Sequence, residues 1–252
     1  MNGLAGLFTM WRSTRLVVMT SVIAAIHAAA LIPFKPIVIL PGVTEVRPGM
    51  VFPIVFSLMF GPAAAWGTAI GNTIGDLFGS LGPGTFFGFV GNLLYGYLPY
   101  RVWRAWRAGE PRFTSVGDWS AYLLAVVAAA GACALAIGWG IHLLGLFPFV
   151  TTSGIILVNN LLVGMILGPP LLLAVYPRVA RMNLLYEERE SGSGRARGQR
   201  AVARAASLAA GALAMGGIGA GYVASAAGQS DAAITAAVSP FVLALLMACA
   251  LL

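Results

Sequence analysis

The sequence predicts an all-α integral membrane protein with a six-helix unit followed by a C-terminal two-helix hairpin. Hydrophobic residues make up 59% of the 252 residues and charged residues only 9%, whereas an ordinary soluble domain has about a quarter charged residues. Apolar runs recur along the chain, several of them near the roughly 20 residues that a membrane-spanning helix needs. Short connections that contain proline, glycine or arginine separate these runs. The composition excludes a soluble fold.

Proline and glycine divide the first half of the chain. We predict helix 1 over residues 16–32, a proline-rich loop over 33–48, a short helix 2 over 50–60, helix 3 over 63–78 and helix 4 over 85–103. The loop contains four prolines and therefore cannot form one continuous helix. Gly61-Pro62 is a turn signal between helices 2 and 3. Helix 2 is too short to cross a bilayer alone, so other parts of the protein must surround it.

The second half contains the remaining four helices, predicted over residues 119–146, 155–176, 201–224 and 237–252. A charged segment that is rich in arginine, glycine and serine interrupts them over 183–200, and this composition is typical of a solvated linker. The sequence therefore predicts a six-helix membrane unit over 1–182, the linker over 183–200 and a transmembrane hairpin over 201–252.

The arginines predict the orientation of the chain. Thirteen of the 15 lysines and arginines fall before helix 1, at or after the end of helix 4, or around the linker. Short cytoplasmic loops carry such an excess, so we expect a multi-pass protein of the cell membrane with both termini in the cytoplasm. The basic residues are spread over several loops and form no single stripe, which argues against a nucleic acid partner.

Polar residues inside the apolar runs are the candidate binding site. An ionisable or amide side chain at membrane depth is costly and often functional. Thr68, Asn72 and Asp76 share one helix face through their spacing of four residues. With the predicted topology, nearly all these side chains lie in the outer half of the membrane, which predicts a pocket that opens outward. The candidate substrate-binding residues are Arg47, Asn72, Asp76, Phe86, Phe89, Asn92, Asn159 and Asn160.

Structural roles remain open for the same residues. The asparagines could hydrogen-bond one helix to another, and Asp76 could form a structural ion pair with Arg47. The phenylalanines could belong to an interfacial aromatic belt.

Enzymatic motifs are missing from the sequence. Metal chemistry needs clustered ligands, and the chain has neither a His-x-x-x-His nor a Glu-x-x-His pattern. A nucleophile elbow Gly-x-Ser-x-Gly and a Walker lysine are also missing. We therefore expect no catalytic residue, no metal and no cofactor, and no ATP hydrolysis by this chain alone.

One arrangement resembles a known family. The proline-rich loop, the short helix 2, the run Phe60-Gly61-Pro62-Ala63-Ala64 and the segment GNTIGDL over 71–77 are similar to the substrate-binding S component of an energy-coupling factor (ECF) vitamin transporter. The resemblance implies capture of a small vitamin or related micronutrient, with uptake energised by separate ATPases and a membrane coupling subunit. It also implies that Ala-x-x-x-Ala spacing on helix 1 contacts the coupling subunit, which the pairs Ala24/Ala28 and Ala25/Ala29 match. The C-terminal hairpin departs from the family pattern.

Two other functions fit the residues. The chain could be a membrane scaffold without transport, in which the buried asparagines and Asp76 are structural. It could also be an ion-coupled transporter, because one carboxylate at membrane depth can carry a proton.

Overall fold

The fold is almost entirely helical. A computed structural model describes residues 4–40, 44–45, 47–79, 81–107, 109–186 and 197–252. The α-helices of these residues are α1 (Ala5–Thr9), α2 (Thr14–Leu31), α3 (Val51–Phe60), α4 (Pro62–Asp76), α5 (Thr85–Trp106), α6 (Val116–Leu143), α7 (Phe149–Arg181), α8 (Arg197–Ala226) and α9 (Asp231–Leu251). The predicted all-α membrane fold is confirmed, and each of the eight predicted helices corresponds to one of α2–α9.

Length and composition separate the helices into two groups. Five helices in the described part of the chain are long and apolar enough to cross a membrane, and they span Thr14–Phe34, Val116–Leu143, Phe149–Arg181, Gly198–Ala226 and Asp231–Leu251. The segment Pro48–Phe60 is a shorter apolar helix. Ile54 and Val55 in this segment are fully buried, as expected for a short helix that other helices surround.

The proline-rich connection after α2 contains more regular structure than the predicted loop. Strands β1 (Val38–Leu40) and β2 (Thr44–Glu45) pair in an antiparallel two-stranded sheet. Short 3₁₀ turns at Ile32–Phe34 and Pro48–Met50 flank the sheet. Each turn begins at or next to a proline, whose fixed φ angle suits the first turn of a helix. Residues 41–43 and 46 of the predicted loop lie outside the described residues.

Helix α7 is longer than the sequence indicated. The predicted helix covered 155–176, whereas α7 runs over Phe149–Arg181. Pro148 at the N-cap position precedes the first turn, and the hydroxyls of Thr152 and Ser153 donate to backbone carbonyls four residues earlier. These hydroxyls are therefore satisfied inside the helix, so residues 149–154, which the predicted helix did not include, form the start of α7.

Close packing of helices depends on small residues. At Gly71 on α4, an added Cβ atom would lie 2.7 Å from the carbonyl oxygen of Ala24 on α2. At Gly96 on α5, an added Cβ would lie 2.6 Å from the hydroxyl of Thr68 on α4. Glycine at both positions lets the helix backbones approach, which is the usual packing mode inside membranes.

The C-terminal helices pack on the preceding helices of the bundle, mainly on α5, α6 and α7. Hydrogen bonds with long sequence separation cross this contact, including the following three. Trp106 Nε1 donates to Ser207 Oγ at 2.7 Å, Trp139 Nε1 donates to Ser239 Oγ at 3.0 Å, and the Tyr97 hydroxyl donates to the Cys249 carbonyl at 3.1 Å. Residues 187–196 of the predicted linker lie outside the described residues.

The arginines of several connections meet at one end of the bundle. Arg15 at the start of α2 donates to the carbonyls of Asn183 and Leu185, just after α7. Arg104 near the end of α5 donates to the Tyr186 carbonyl at 2.7 Å. This end therefore contains the start of α2, the end of α5 and the end of α7, and it gives the bundle a basic pole.

Candidate functional site

A cavity with a polar wall lies at the other end of the bundle, where α4 and α6 end and α5 and α7 begin. Its volume is about 230 Å³. Its polar and charged lining comprises Arg47, Asn72, Asp76, Thr85, Asn92, Asn159 and Asn160, and its other lining side chains include Met50, Cys133, Ile137, Ile141, Leu146, Phe147 and Ile156. Six of the eight predicted substrate-binding residues thus line one cavity.

A chain of hydrogen bonds runs along one wall. Arg47 donates from Nη1 to Asn72 Oδ1 at 3.0 Å, and Asn72 Nδ2 donates to Asp76 Oδ2 at 3.2 Å. Lys35 Nζ lies 3.1 Å from Asp76 Oδ1, and the side chains of this pair are only 6% and 7% exposed. The buried carboxylate thus contacts both a cation and an amide donor, and these contacts offset its loss of hydration.

The wall exists because α4 presents its polar residues on one face. Thr68, Asn72 and Asp76 follow each other at intervals of one turn, and all three are buried. Gly88 on α5 lies against this face, and an added Cβ atom at Gly88 would be only 3.2 Å from Asn72 Nδ2. The Thr68 hydroxyl lies 3.3 Å from the carbonyl oxygen of Asn92 on α5. Small residues thus bring α5 beside the polar face of α4.

The asparagines of α5 and α7 line the same cavity. Asn92 Nδ2 donates to the Gly88 carbonyl at 2.9 Å, within its own helix. Asn159 Nδ2 lies 3.3 Å from Asn160 Oδ1. The Tyr95 hydroxyl of α5 donates to the backbone carbonyl of Asn160 on α7 at 3.2 Å, which ties the two helices together.

The two predicted phenylalanines do not line this cavity. Phe86 is 66% exposed, and the Phe89 ring packs against Trp66 at a centroid distance of 6.1 Å. The aromatic side chain that lines the cavity is Phe147, from the connection between α6 and α7. Helical periodicity explains the difference, since Gly88 and Asn92 occupy the α5 face towards the cavity and Phe86 and Phe89 occupy other faces.

The predicted partner-contact alanines of α2 divide into two pairs. Ala24 and Ala28 are each only 4% exposed, and Ala24 lies against Gly71 of α4. This pair faces the inside of the bundle and is not accessible to another subunit. Ala25 and Ala29 lie on the exposed face of the helix, and their contact with a coupling subunit stays a prediction.

Sequence reasoning missed Lys35, which contacts the cavity residue Asp76, and the lining residues Thr85 and Cys133. Lys35 was assigned to the loop, although the only lysine of so apolar a chain is a natural partner for the one carboxylate at membrane depth. Cys133 on α6 lines the cavity, but an isolated cysteine in an alanine-rich run gives no sequence signal. The alternative of an ion pair between Asp76 and Arg47 did not include Lys35, whose Nζ lies 3.1 Å from Asp76 Oδ1.

The fold and the cavity together define a helical membrane protein with an internal polar site at one end. A family model of the QueT transporter matches residues 17–177, more than half of the chain. The chain therefore belongs to the QueT transporter family, and QueT is an ECF-type S component. The resemblance noted in the sequence is confirmed. No curated protein and no solved structure matches the chain in the corresponding searches. The matched residues end before α8, so the hairpin lies outside the family match.

Proposed function

We propose that this protein is a substrate-capture subunit that binds a queuosine precursor for uptake, energised by a separate ATPase and membrane coupling subunit. The observation that carries the proposal is the buried chain from Arg47 through Asn72 to Asp76 and Lys35. The family supports transport of a queuosine precursor, a micronutrient of the kind that the sequence predicts. Organised polar groups in a mostly apolar cavity are typical of a small-molecule site.

The donors and acceptors of the wall suit a nitrogen heterocycle. Queuosine precursors carry a 7-deazaguanine ring, which presents N–H donors and a carbonyl acceptor. Asp76 would accept from ring N–H groups, and Arg47 would donate to a carbonyl oxygen. Phe147 and Ile137 supply apolar surface for the flat ring. The proposed site therefore keeps Arg47, Asn72, Asp76, Asn92, Asn159 and Asn160 as binding residues and adds Lys35 as the residue that holds Asp76.

Charge supports an outward-facing cavity. The arginine-rich connections lie at one end of the bundle and the cavity at the other. If the basic pole is cytoplasmic, as positive loops normally are, the cavity faces the outside of the cell membrane and both termini lie in the cytoplasm. We keep the division into units 1–182 and 201–252, joined by the segment 183–200, as part of the proposal.

The exposed face of α2 is our proposed contact for the coupling subunit. Ala25 and Ala29 lie there beside Val18, Val22 and Ile26, which are 57%, 47% and 41% exposed. Small residues on such a face allow a partner helix to approach closely.

Titration of the purified full-length protein with 7-deazaguanine tests the proposed substrate. We expect saturable binding by the wild type and at least a hundredfold weaker binding by Asp76→Asn and Arg47→Ala, since loss of a hydrogen bond to a buried charged group costs about 3 kcal/mol. Thr152→Val is the matched control, because Thr152 is a buried polar residue of α7 that does not line the cavity. Absence of binding, together with wild-type uptake by both site variants, would refute the proposal.

Uptake measurements separate the remaining functions. Transport through an ATPase stops when ATP is depleted, whereas an ion-coupled transporter stops when a protonophore is added. If Asp76→Ala and Asn72→Ala abolish folding, a purely structural role for these residues gains support. A stable variant that no longer takes up substrate supports the capture function.

A further inference from the structure

Two buried polar atoms of the cavity wall have no hydrogen-bond partner among the described residues. They are Asn92 Oδ1 and Asn160 Nδ2. The two residues are 0% and 1% exposed, and both line the cavity. Buried polar atoms in folded proteins are nearly always paired, and each exception needs an explanation. A bound ligand in the cavity explains both atoms at once.

Hydrogen bonds define which atom of each amide is unsatisfied. Asn92 Nδ2 donates to the Gly88 carbonyl at 2.9 Å, which leaves Oδ1 as the acceptor without a donor. Asn160 Oδ1 faces the Asn159 amide at 3.3 Å, which leaves Nδ2 as the donor without an acceptor. The cavity wall thus has one acceptor, Asn92 Oδ1, and one donor, Asn160 Nδ2, that a ligand can pair with.

The two amides belong to neighbouring parts of the wall. Tyr95 lies one helical turn after Asn92, and its hydroxyl donates to the Asn160 backbone carbonyl at 3.2 Å. The thiol of Cys133 on α6 also lines the cavity and interacts with the Asn160 side chain. A thiol is a weak donor and acceptor, so it does not replace a full partner for either amide.

We infer that Asn92 and Asn160 together recognise a lactam or amide group of the substrate. Asn92 Oδ1 accepts from the lactam N–H, and Asn160 Nδ2 donates to the lactam carbonyl oxygen. The inference rests on the proposed capture function and adds a specificity to it: the site prefers heterocycles with a ring N–H next to a carbonyl. It assigns this preference to the wall formed by α5 and α7. The carbonyl oxygen has two lone pairs and accepts from both Asn160 and Arg47, while Asp76 accepts from the other N–H groups of the ring.

Two heterocycles that differ only at this group test the inference on the wild type. 7-Deazaguanine has the lactam, and 2-amino-7-deazapurine lacks both the carbonyl and its neighbouring ring N–H but keeps the exocyclic amine. We expect the full-length protein to bind the lactam at least tenfold more tightly, because the analogue leaves both amides unsatisfied. Equal affinity for the two compounds would overturn the inference while leaving the proposed substrate intact.

Apolar variants of similar size test the residues. Asn92→Leu and Asn160→Leu should weaken 7-deazaguanine binding about tenfold to hundredfold and remove the preference over the analogue. Their melting temperatures should stay close to that of Thr152→Val. Each asparagine substitution removes one atom without a partner together with one hydrogen bond of the amide, and Thr152→Val also removes one hydrogen bond. Wild-type affinity and an unchanged preference in both variants would overturn the inference and point to a structural water instead.

A third compound separates the two proposals. 7-Deazahypoxanthine keeps the lactam and lacks the exocyclic amine. If the wild type binds it but not 7-deazaguanine, the proposed substrate is wrong and the lactam preference stands. If the wild type binds neither lactam, the inference is overturned as well.

Discussion

The buried pair of Lys35 and Asp76 gives the sharpest test of the site's energetics. The perturbation is a double-mutant cycle with Lys35→Met, Asp76→Asn and the combined variant. The two charges lie 3.1 Å apart and are 6% and 7% exposed. Each single change leaves the partner's charge in a buried setting, whereas the double change removes both charges. The cycle therefore isolates the interaction between them.

The distance provides the magnitude. At 3.1 Å and an effective dielectric constant of about 20, the Coulomb attraction is about 5 kcal/mol. Removal of one partner from a buried pair costs about 3 kcal/mol, because the other charge loses its compensation. Removal of both charges leaves neither one uncompensated, so we expect a cost of about 2 kcal/mol rather than the sum of about 6 kcal/mol for the two single changes. The coupling free energy between Lys35 and Asp76 is then about 4 kcal/mol.

The assay is the free energy of unfolding of each purified variant in the same detergent without ligand. The exposed pair Glu110 and Arg112 is the matched control, since its N–O distance is 2.8 Å but its side chains are 43% and 71% exposed. Its cycle should give a coupling below about 1 kcal/mol. If the losses of Lys35→Met and Asp76→Asn simply add, the pair contributes nothing and the reasoning from burial fails.

Three other predictions follow from packing and exposure. Gly71→Leu should prevent the folded state, because even a Cβ atom would lie 2.7 Å from a backbone oxygen of α2. Melting curves check this, and Gly219→Leu is the control, because nothing lies within 4 Å of an added Cβ at Gly219. Deletion of residues 191–252 should lower the melting temperature but change the dissociation constant for substrate by less than about threefold, or about 0.6 kcal/mol; loss of binding by a folded truncated protein would place the hairpin in the site. Ala25→Leu and Ala29→Leu should reduce uptake while binding to purified protein stays at the wild-type level; equal losses of uptake and binding would contradict a docking role.

The helices and most polar residues of the cavity could be predicted from the sequence, because both depend on local patterns. Apolar runs and turn residues predicted eight helices that each overlap one observed helix, although α7 and α9 begin about six residues earlier than predicted. The spacing of four residues from Asn72 to Asp76 correctly placed both side chains on one face. A costly polar group in an apolar run is visible without a structure, and this signal identified the asparagines of the wall.

Long-range contacts explain what the sequence did not show. Lys35 reaches Asp76 across 41 positions of the chain, and the segment that carries it folds back through a sheet and two 3₁₀ turns rather than as an open loop. Phe86 was placed near the pocket from its depth alone. Depth does not fix the direction of a side chain, which depends on the rotation of α5 about its axis. That rotation is set by contacts such as Gly88 against Asn72.

The hairpin of α8 and α9 and the proposed docking face of α2 occupy different parts of the bundle. The hairpin's position depends on its contacts with α6. The buried centre of α6 contains a run of small residues, and Gly131 lies against Ala214 of α8, where an added Cβ would be 3.0 Å from the alanine Cβ. A helix with so many small side chains gains little from contact with lipid and much from close contact with other helices. The hairpin covers this helix together with α5 and α7, while Val18 and Val22 of α2 remain exposed. A six-helix transporter unit can therefore acquire two further helices without covering the α2 face that we propose for its coupling subunit.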